Sequence, residues 1–427
     1  MEHRYDVLVL GAGAAGLMAA WELSAAGRSV ALIEARGRTG GRVHTLQEPG
    51  IGVPIELGAE FIHGDLPLTQ HWSARAGLSS YEVEGSIWQY KKGKLQEQED
   101  FIEEEAALKP VWESLTDDIS VGTLIDRYLQ GPGYEALRFT LQRYVEGYYA
   151  GNLEQASAFA LRRELEGQEE AQCRLASGYG ALLRAIDTEC AHQGVLFCLN
   201  TPVHSVEWGE GYVRLQATDG RHFLGTTLLC TVPLGNWLAG DIGWTPSLPD
   251  KQEAARHLGF GPVVKLILRF RTRFWSDETN RKDLNFLFSD TTIPAWWTAA
   301  PKTDALLTAW LGGPAAAALQ HLTQEQLVGR ALSDLAQMFG KTKDWLRLQL
   351  QTVHYHNWAK DPYCRGGYSF EVVDGPHWQK LLSAPVARTL YFAGEGLHAG
   401  PQIGTVEAAL QTGQAAARQL IADHAVG

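Results

Sequence analysis

Asp6-Val-Leu-Val-Leu10 is an unbroken apolar run that stops at Gly11. A short apolar run bounded by a turn residue predicts a strand buried on both faces. Ala14 to Ala26 is Ala- and Leu-rich and closes at Gly27, a natural helix stop. Ser29 to Ile33 predicts a second buried strand, ended by Glu34. These pieces form one strand–helix–strand unit.

From Glu97 to Ala191 the spacing predicts helices, with the acidic stretch Glu97 to Glu105 as a solvated helix face. Val195 to Thr231 predicts short strands, punctuated by hairpin turns at Gly209-Glu-Gly211 and Asp219-Gly220. The run Val263-Val-Lys-Leu-Ile-Leu268 reads as a strand. Its alternation places Val264, Leu266, Leu268 and Phe270 on one face, and Val263, Lys265, Ile267 and Arg269 on the other. The chain closes with a strand, Thr389 to Phe392, and a helix, Gly404 to Ile421. Neither an internal repeat nor a low-complexity linker interrupts it, which favours two interleaved domains over a linear array.

Composition narrows the classes. With 45% hydrophobic and 20% charged residues over 427 positions, the chain is not of the disordered kind. Its 37 basic and 49 acidic residues give a net charge of −12, the opposite of a nucleic-acid binder's electrostatic footprint. No apolar run reaches the ~20 residues of a membrane span; the best, Ala305 to Leu319, is broken by Gly312, Gly313 and Pro314. Cys173, Cys190, Cys198, Cys230 and Cys364 form no CxxC pair. An odd count of this kind implies reduced thiols and a cytoplasmic setting.

Gly11, Gly13 and Gly16 form GxGxxG between the first strand and its helix. Gly11 permits the tight turn, Gly13 admits a pyrophosphate to the backbone, and Glu34 suits a ribose while disfavouring a 2′-phosphate. Arg36-Gly-Arg-Thr-Gly-Gly-Arg42 follows directly. It is either a solvated basic turn or a second loop around the pyrophosphate, which a tightly held FAD needs and NAD does not.

GAGAAGL at Gly11–Leu17, EARGRTGGRV at Glu34–Val43 and YFAGE at Tyr391–Glu395 resemble the flavin-containing amine oxidase superfamily. LGAEFIHG at Leu57–Gly64 is similar to a segment of its polyamine oxidase branch. TVPLG at Thr231–Gly235, the Trp358–Ser369 block and GTVEAAL at Gly404–Leu410 follow in family order, while residues 80–175 carry no placeable motif. The resemblance implies an α/β chain: an FAD-binding Rossmann-like (GR2-type) domain interleaved with an α+β substrate domain. The expected FAD-binding segments are residues 1–78, 176–254 and 386–427. The expected substrate segments are 79–175, which is helical, and 255–385.

It further implies that Gly11, Gly13, Ala15, Gly16, Glu34, Ala35, Arg36, Gly41 and Arg42 hold the adenosine and pyrophosphate. Val203 would contact adenine through its backbone, and Gly394 and Glu395 would hold the ribityl–phosphate region. Gly404, Thr405 and Val406 would open a helix aimed at the flavin, whose negative charge a helix N-terminus stabilises. Gly58 and Ala59 would let the backbone pass the isoalloxazine ring, with Glu60, Trp358 and Tyr363 completing the cofactor surroundings. Gly367 stands where covalent members place the linking cysteine, and Cys364 lies three residues earlier, so the FAD is expected to be non-covalent.

Lys265 and His63 are the expected catalytic residues. By resemblance, Lys265 reaches through a water toward the flavin and aids electron transfer to oxygen; by periodicity alone its strand face is either solvated or functional. His63 either handles the substrate ammonium or is structural. Glu60 either anchors a cationic chain or pairs with an arginine. Tyr368 and Thr405 complete the expected substrate-binding set. His354 and His356 lack a third ligand nearby, so no metal is expected. The implied reaction oxidises a small cationic amine, first a polyamine or acetylated polyamine, to an imine and aldehyde, with O2 reduced to H2O2. The rival readings are an L-amino-acid oxidase, which needs an arginine for the substrate carboxylate, a desaturase, and a flavin-bound scaffold without turnover.

Overall fold

The computed structural model describes residues 4–167, 172–277 and 283–425. The first apolar run forms the strand Arg4–Leu10, its last four residues buried. It pairs in parallel with Val30–Ile33 on one side and His222–Cys230 on the other. Such a strand must be apolar on both faces, because both faces of the parallel sheet are covered: Leu8 and Leu10 pack with Val206, Val213 and Leu215 of neighbouring strands. Helix Ala14–Ala25 lies on one face, against Tyr179–His192 and Val406–Asp423. Leu196–Cys198, Tyr212–Ala217, Val203–Gly209, Gly243–Thr245 and Leu390–Phe392 complete this eight-stranded sheet.

A second, seven-stranded sheet runs in the order 350–357, 263–270, 306–312, 295–298, 284–289, 86–91, 94–98. Its Val264, Leu266 and Leu268 face packs on helix Gln324–Phe339 through Leu327, Leu332 and Leu335. Its opposite face turns toward the first sheet and carries Lys265, Trp297 and Trp310 into the space between the two.

Residues 97–105 depart from the expected helix. Lys94–Gln98 is a strand paired with Ser86–Lys91 across a turn in which Lys92 and Gly93 have φ of 51° and 79°. Two consecutive positive φ values give the tight hairpin its twist, and local strand pairing outweighs the helical propensity of the glutamates. Helices Val121–Tyr128, Glu135–Arg143 and Ala158–Glu166 follow around their own core of Leu124, Leu137, Leu141 and Leu161. Between the last two, Tyr144–Tyr148 widens into a π-helical turn. Among the described residues, no helix is long and apolar enough to cross a membrane.

Candidate active site

A continuous cavity of about 1250 Å³ runs between the two sheets. At one end it meets the first strand–helix turn. Helix Ala14–Ala25 starts from Gly13 with no side-chain cap, so its first amides face the cavity unsatisfied. Free amides at a helix start suit a pyrophosphate. Gly41 sits at φ 57°, and a Cβ there would come 3.1 Å from the Gly13 Cα, so the two loops meet backbone to backbone. The Glu34 carboxylate is aimed by two amides, Ala12 N and Arg36 N, each 2.8 Å away. Each oxygen keeps a lone pair for a ribose hydroxyl. This cradle of open amides and an oriented carboxylate fits FAD.

Nearly all the expected cofactor residues line this cavity, from Gly11, Gly13, Ala15, Glu34, Ala35 and Arg36 through Gly41, Arg42, Val203 and Tyr363 to Gly394, Glu395, Gly404 and Val406. Gly16 does not. A Cβ there would lie 1.9 Å from the Gly11 carbonyl oxygen, so this glycine packs the helix onto the strand rather than touching a ligand. Gly58 also has a different reason from the expected one. Its missing side chain leaves room for the Arg42 carbonyl, 1.8 Å from a Cβ placed there, and for the Trp358 ring. Trp358 in turn donates to the Leu57 carbonyl at 2.8 Å, beside Ala59, and fixes the segment.

The two arginines are held by carboxylates. Arg36 forks onto Asp361 at 2.8 and 2.6 Å, with its guanidinium 5.2 Å from the Tyr363 ring centre. Burial pushes the Asp361 carboxyl up, but His356 and Arg36 outweigh it and hold it well below its usual range. Arg42 donates to Glu395 at 2.6 Å and to the Gly367 carbonyl at 2.8 Å. Sequence reasoning missed Asp361, although it stands within the recognised Trp358–Ser369 block. His354 pairs with Glu48, and His356 with Asp361.

Lys265 is 0% exposed. Around Lys265 this strand face is buried, not solvated: Val263 packs with Trp358 and Cys364, and Ile267 with Ile55 and Leu57, while Arg269 is half-buried. Lys265 Nζ donates to Glu60 Oε2 at 2.7 Å and to the Gly58 carbonyl at 3.2 Å. Glu60 also accepts from Arg174 Nε at 2.9 Å and Trp297 Nε1 at 3.1 Å. Burial raises the Glu60 carboxyl, but Lys265 and Arg174 overcome it and leave it below its ordinary value. The carboxylate is thus committed to two cations of the protein. Arg174 is the missed residue here, because its pairing joins segments far apart in sequence.

His63 lines the same cavity between Phe61 and Tyr148, with ring centres 5.9 and 5.5 Å away. Burial lowers its pKa to about 4, so the imidazole is neutral at neutral pH. Tyr368 lies nearly parallel to Trp310, 6.2 Å between centres, and its hydroxyl donates to the Tyr148 carbonyl. Thr405 caps helix Val406–Asp423: its Oγ1 accepts from Ala408 N at 3.1 Å and donates to the Gln402 carbonyl at 2.7 Å. At Gly367 a Cβ would lie 2.3 Å from Val263 Cγ2, so the linkage position has no room for a side chain.

The sequence matches the family described as flavin containing amine oxidoreductase over residues 14–421, and the chain belongs to that family. Its curated relatives include polyamine oxidase 3 of Oryza sativa, 28% identical over 98% of this chain and 89% of that protein. They also include lysine-specific histone demethylase 1 homolog 2 of the same plant, 28% identical over 91% of this chain. The chain spans about half, 54%, of that longer protein. Among solved structures, putrescine oxidase bound to putrescine superposes with a TM-score of 0.80 at 20% identity, over 99% of this chain and 100% of that one. Cyclohexylamine oxidase from Brevibacterium oxydans also reaches 0.80, at 19% identity and 99% coverage of both chains. The fold is therefore that of the amine oxidases, and FAD is the cofactor.

Proposed function

We propose that the protein oxidises a small amine of the polyamine class to an imine, which water converts to an aldehyde, with O2 taking the electrons and leaving as H2O2. The observation that carries this reading is the continuity of the cavity. One space is lined by the dinucleotide cradle at Gly11, Gly13 and Glu34, and also by Lys265, Tyr368 and His63. Bound there, FAD supplies the two-electron oxidation of the carbon–nitrogen bond. The chain's own residues bind and orient. Tyr368 and Trp310 offer aromatic faces to the amine, and the neutral His63 accepts an N–H hydrogen bond without repelling a cation. Lys265, fixed by Glu60 in a buried setting, supplies the positive charge that favours electron delivery to oxygen.

The polyamine class is supported by the relatives named polyamine oxidase and by the resemblance at Leu57–Gly64. The L-amino-acid rival finds Arg174 occupied by Glu60 and by the Ala300 and Thr298 carbonyls. A peroxide assay on the FAD-loaded protein across spermine, spermidine, their acetylated forms, tyramine and L-phenylalanine tests the reading. Peroxide from the polyamines supports it; peroxide from L-phenylalanine at a higher rate overturns it.

A further inference from the structure

Several carboxylates that line the cavity are held by cations of the protein. Glu60 is paired with Lys265 and Arg174, Glu395 with Arg42, and Glu371 with Arg163. Glu164, on helix Ala158–Glu166, lines the same cavity. Among the described residues, no lysine or arginine forms an ion pair with it; its hydrogen-bonding neighbours are tyrosines. Tyr144 donates to Glu164 Oε1 at 3.0 Å. Tyr148 and Tyr149 also turn their hydroxyls to it. The Tyr149 hydroxyl is buried, lies close to that carboxylate, and makes no well-formed hydrogen bond. Burial drives the Glu164 carboxyl above its usual value, only partly offset by the three hydroxyls. A buried carboxylate with neutral donors alone is costly to ionise, and an incoming cation relieves that cost.

The surroundings have the chemistry of an ammonium site. Tyr144 and Tyr148 stack, with centres 5.0 Å apart, and the π-helical turn places both on the cavity wall. Their rings offer faces to a cation, and their hydroxyls accept from N–H donors. The cage is also continuous with the reacting end. The Tyr148 ring stands perpendicular to His63, and the Tyr148 carbonyl accepts from Tyr368. The charge of Glu164 is felt at the Tyr368 hydroxyl as well.

We propose that Glu164, framed by Tyr144, Tyr148 and Tyr149, binds a second cationic nitrogen of the substrate and so selects amines bearing a further ammonium a short carbon chain from the reacting one. This assignment rests on the amine-oxidation reading above. Because Glu164 must be ionised to act, the preference for diamines weakens as pH falls through its raised pKa.

The test compares 1,4-diaminobutane with n-butylamine, which differ only in the second nitrogen. Wild-type, Glu164→Gln and Glu164→Asp proteins are loaded with FAD and checked for flavin content and Tm. Binding is measured anaerobically from the flavin absorbance, and kcat/KM from peroxide. The expected result for Glu164→Gln is a loss for the diamine at least tenfold larger than for butylamine, in both Kd and kcat/KM. Glu164→Asp should recover part of it, and the diamine preference should rise with pH in the wild type and in Glu164→Asp but not in Glu164→Gln. Equal losses for the two amines, or no loss, overturn the assignment. The two ideas fail separately. A wild type that turns over no amine, yet binds the diamine through Glu164, contradicts the oxidation reading and keeps this site. Oxidation of both amines with no dependence on Glu164 does the reverse.

Discussion

Lys265 Nζ lies 2.7 Å from Glu60 Oε2, and that carboxylate also accepts from Arg174. Two buried cations thus share one buried anion, leaving an excess positive charge beside the cavity. Two of the three ammonium protons are used, on Glu60 and the Gly58 carbonyl. The third remains for the cavity that Lys265 lines.

Lys265→Met is therefore expected to slow oxygen consumption by tenfold or more, since each ~1.4 kcal/mol of lost charge stabilisation slows a step tenfold. The anaerobic half-reaction with amine should change less. Stopped-flow measurement of the two halves checks this. Wild-type oxygen reactivity in a folded, FAD-loaded variant would assign Lys265 to structure alone.

Glu60→Gln leaves Lys265 and Arg174 buried without their shared anion. Breaking a buried pair from one side costs about 3–5 kcal/mol. The expected outcome is a clear fall in Tm together with a weakened hold on FAD, because Gly58 and Glu60 belong to the segment that lines the cofactor end. Denaturant unfolding measures it; an unchanged midpoint would contradict the network.

The cofactor cradle was largely readable from the residues, because its demands are local. A glycine at φ 57° or 102°, an acid ending a strand and an uncapped helix start are all set within a few positions of each other. Partnerships across the chain were not readable. Arg174 reaches Glu60 only because the short strands Ile62–His63 and Gln172–Leu175 pair. The arrangement of Tyr144, Tyr148 and Tyr149 around Glu164 depends on a π-helical turn that periodicity does not predict. For Lys265, alternation alone does not separate a solvated from a functional face, because it says nothing of what covers a strand.

Acid precipitation should release the yellow cofactor into the supernatant. Introducing the linking residue should not change this. A side chain at Gly367 meets Val263 Cγ2 at 2.3 Å, so Gly367→Cys overpacks the site by about 1–3 kcal/mol. A lowered Tm with FAD still released is expected. Colour retained in the wild-type pellet would show a covalent bond.

His63 titrates near 4 in the folded protein against an ordinary 6.5, because burial disfavours its charged form. Between those values the unfolded chain binds a proton that the folded chain refuses. Its contribution is fully present above pH 6.5 and is lost as pH falls toward 4. His63→Gln should flatten the slope of unfolding free energy against pH in that window by up to ~1.4 kcal/mol per pH unit. The acid limb of kcat/KM should stay where it is, because the free substrate amine, which loses its proton well above neutrality, sets it and His63 does not. A limb that moves with His63→Gln would make the imidazole a working base.

The central claim is that this cavity oxidises amines with FAD. Anaerobic mixing of the FAD-loaded protein with spermidine, 1,4-diaminobutane or L-phenylalanine, followed by admission of oxygen, tests it most directly. The account predicts that the amines bleach the yellow absorbance within seconds, and that oxygen restores it with one H2O2 formed per aldehyde. Absorbance unmoved by every amine, or bleached faster by L-phenylalanine than by any of them, would contradict it.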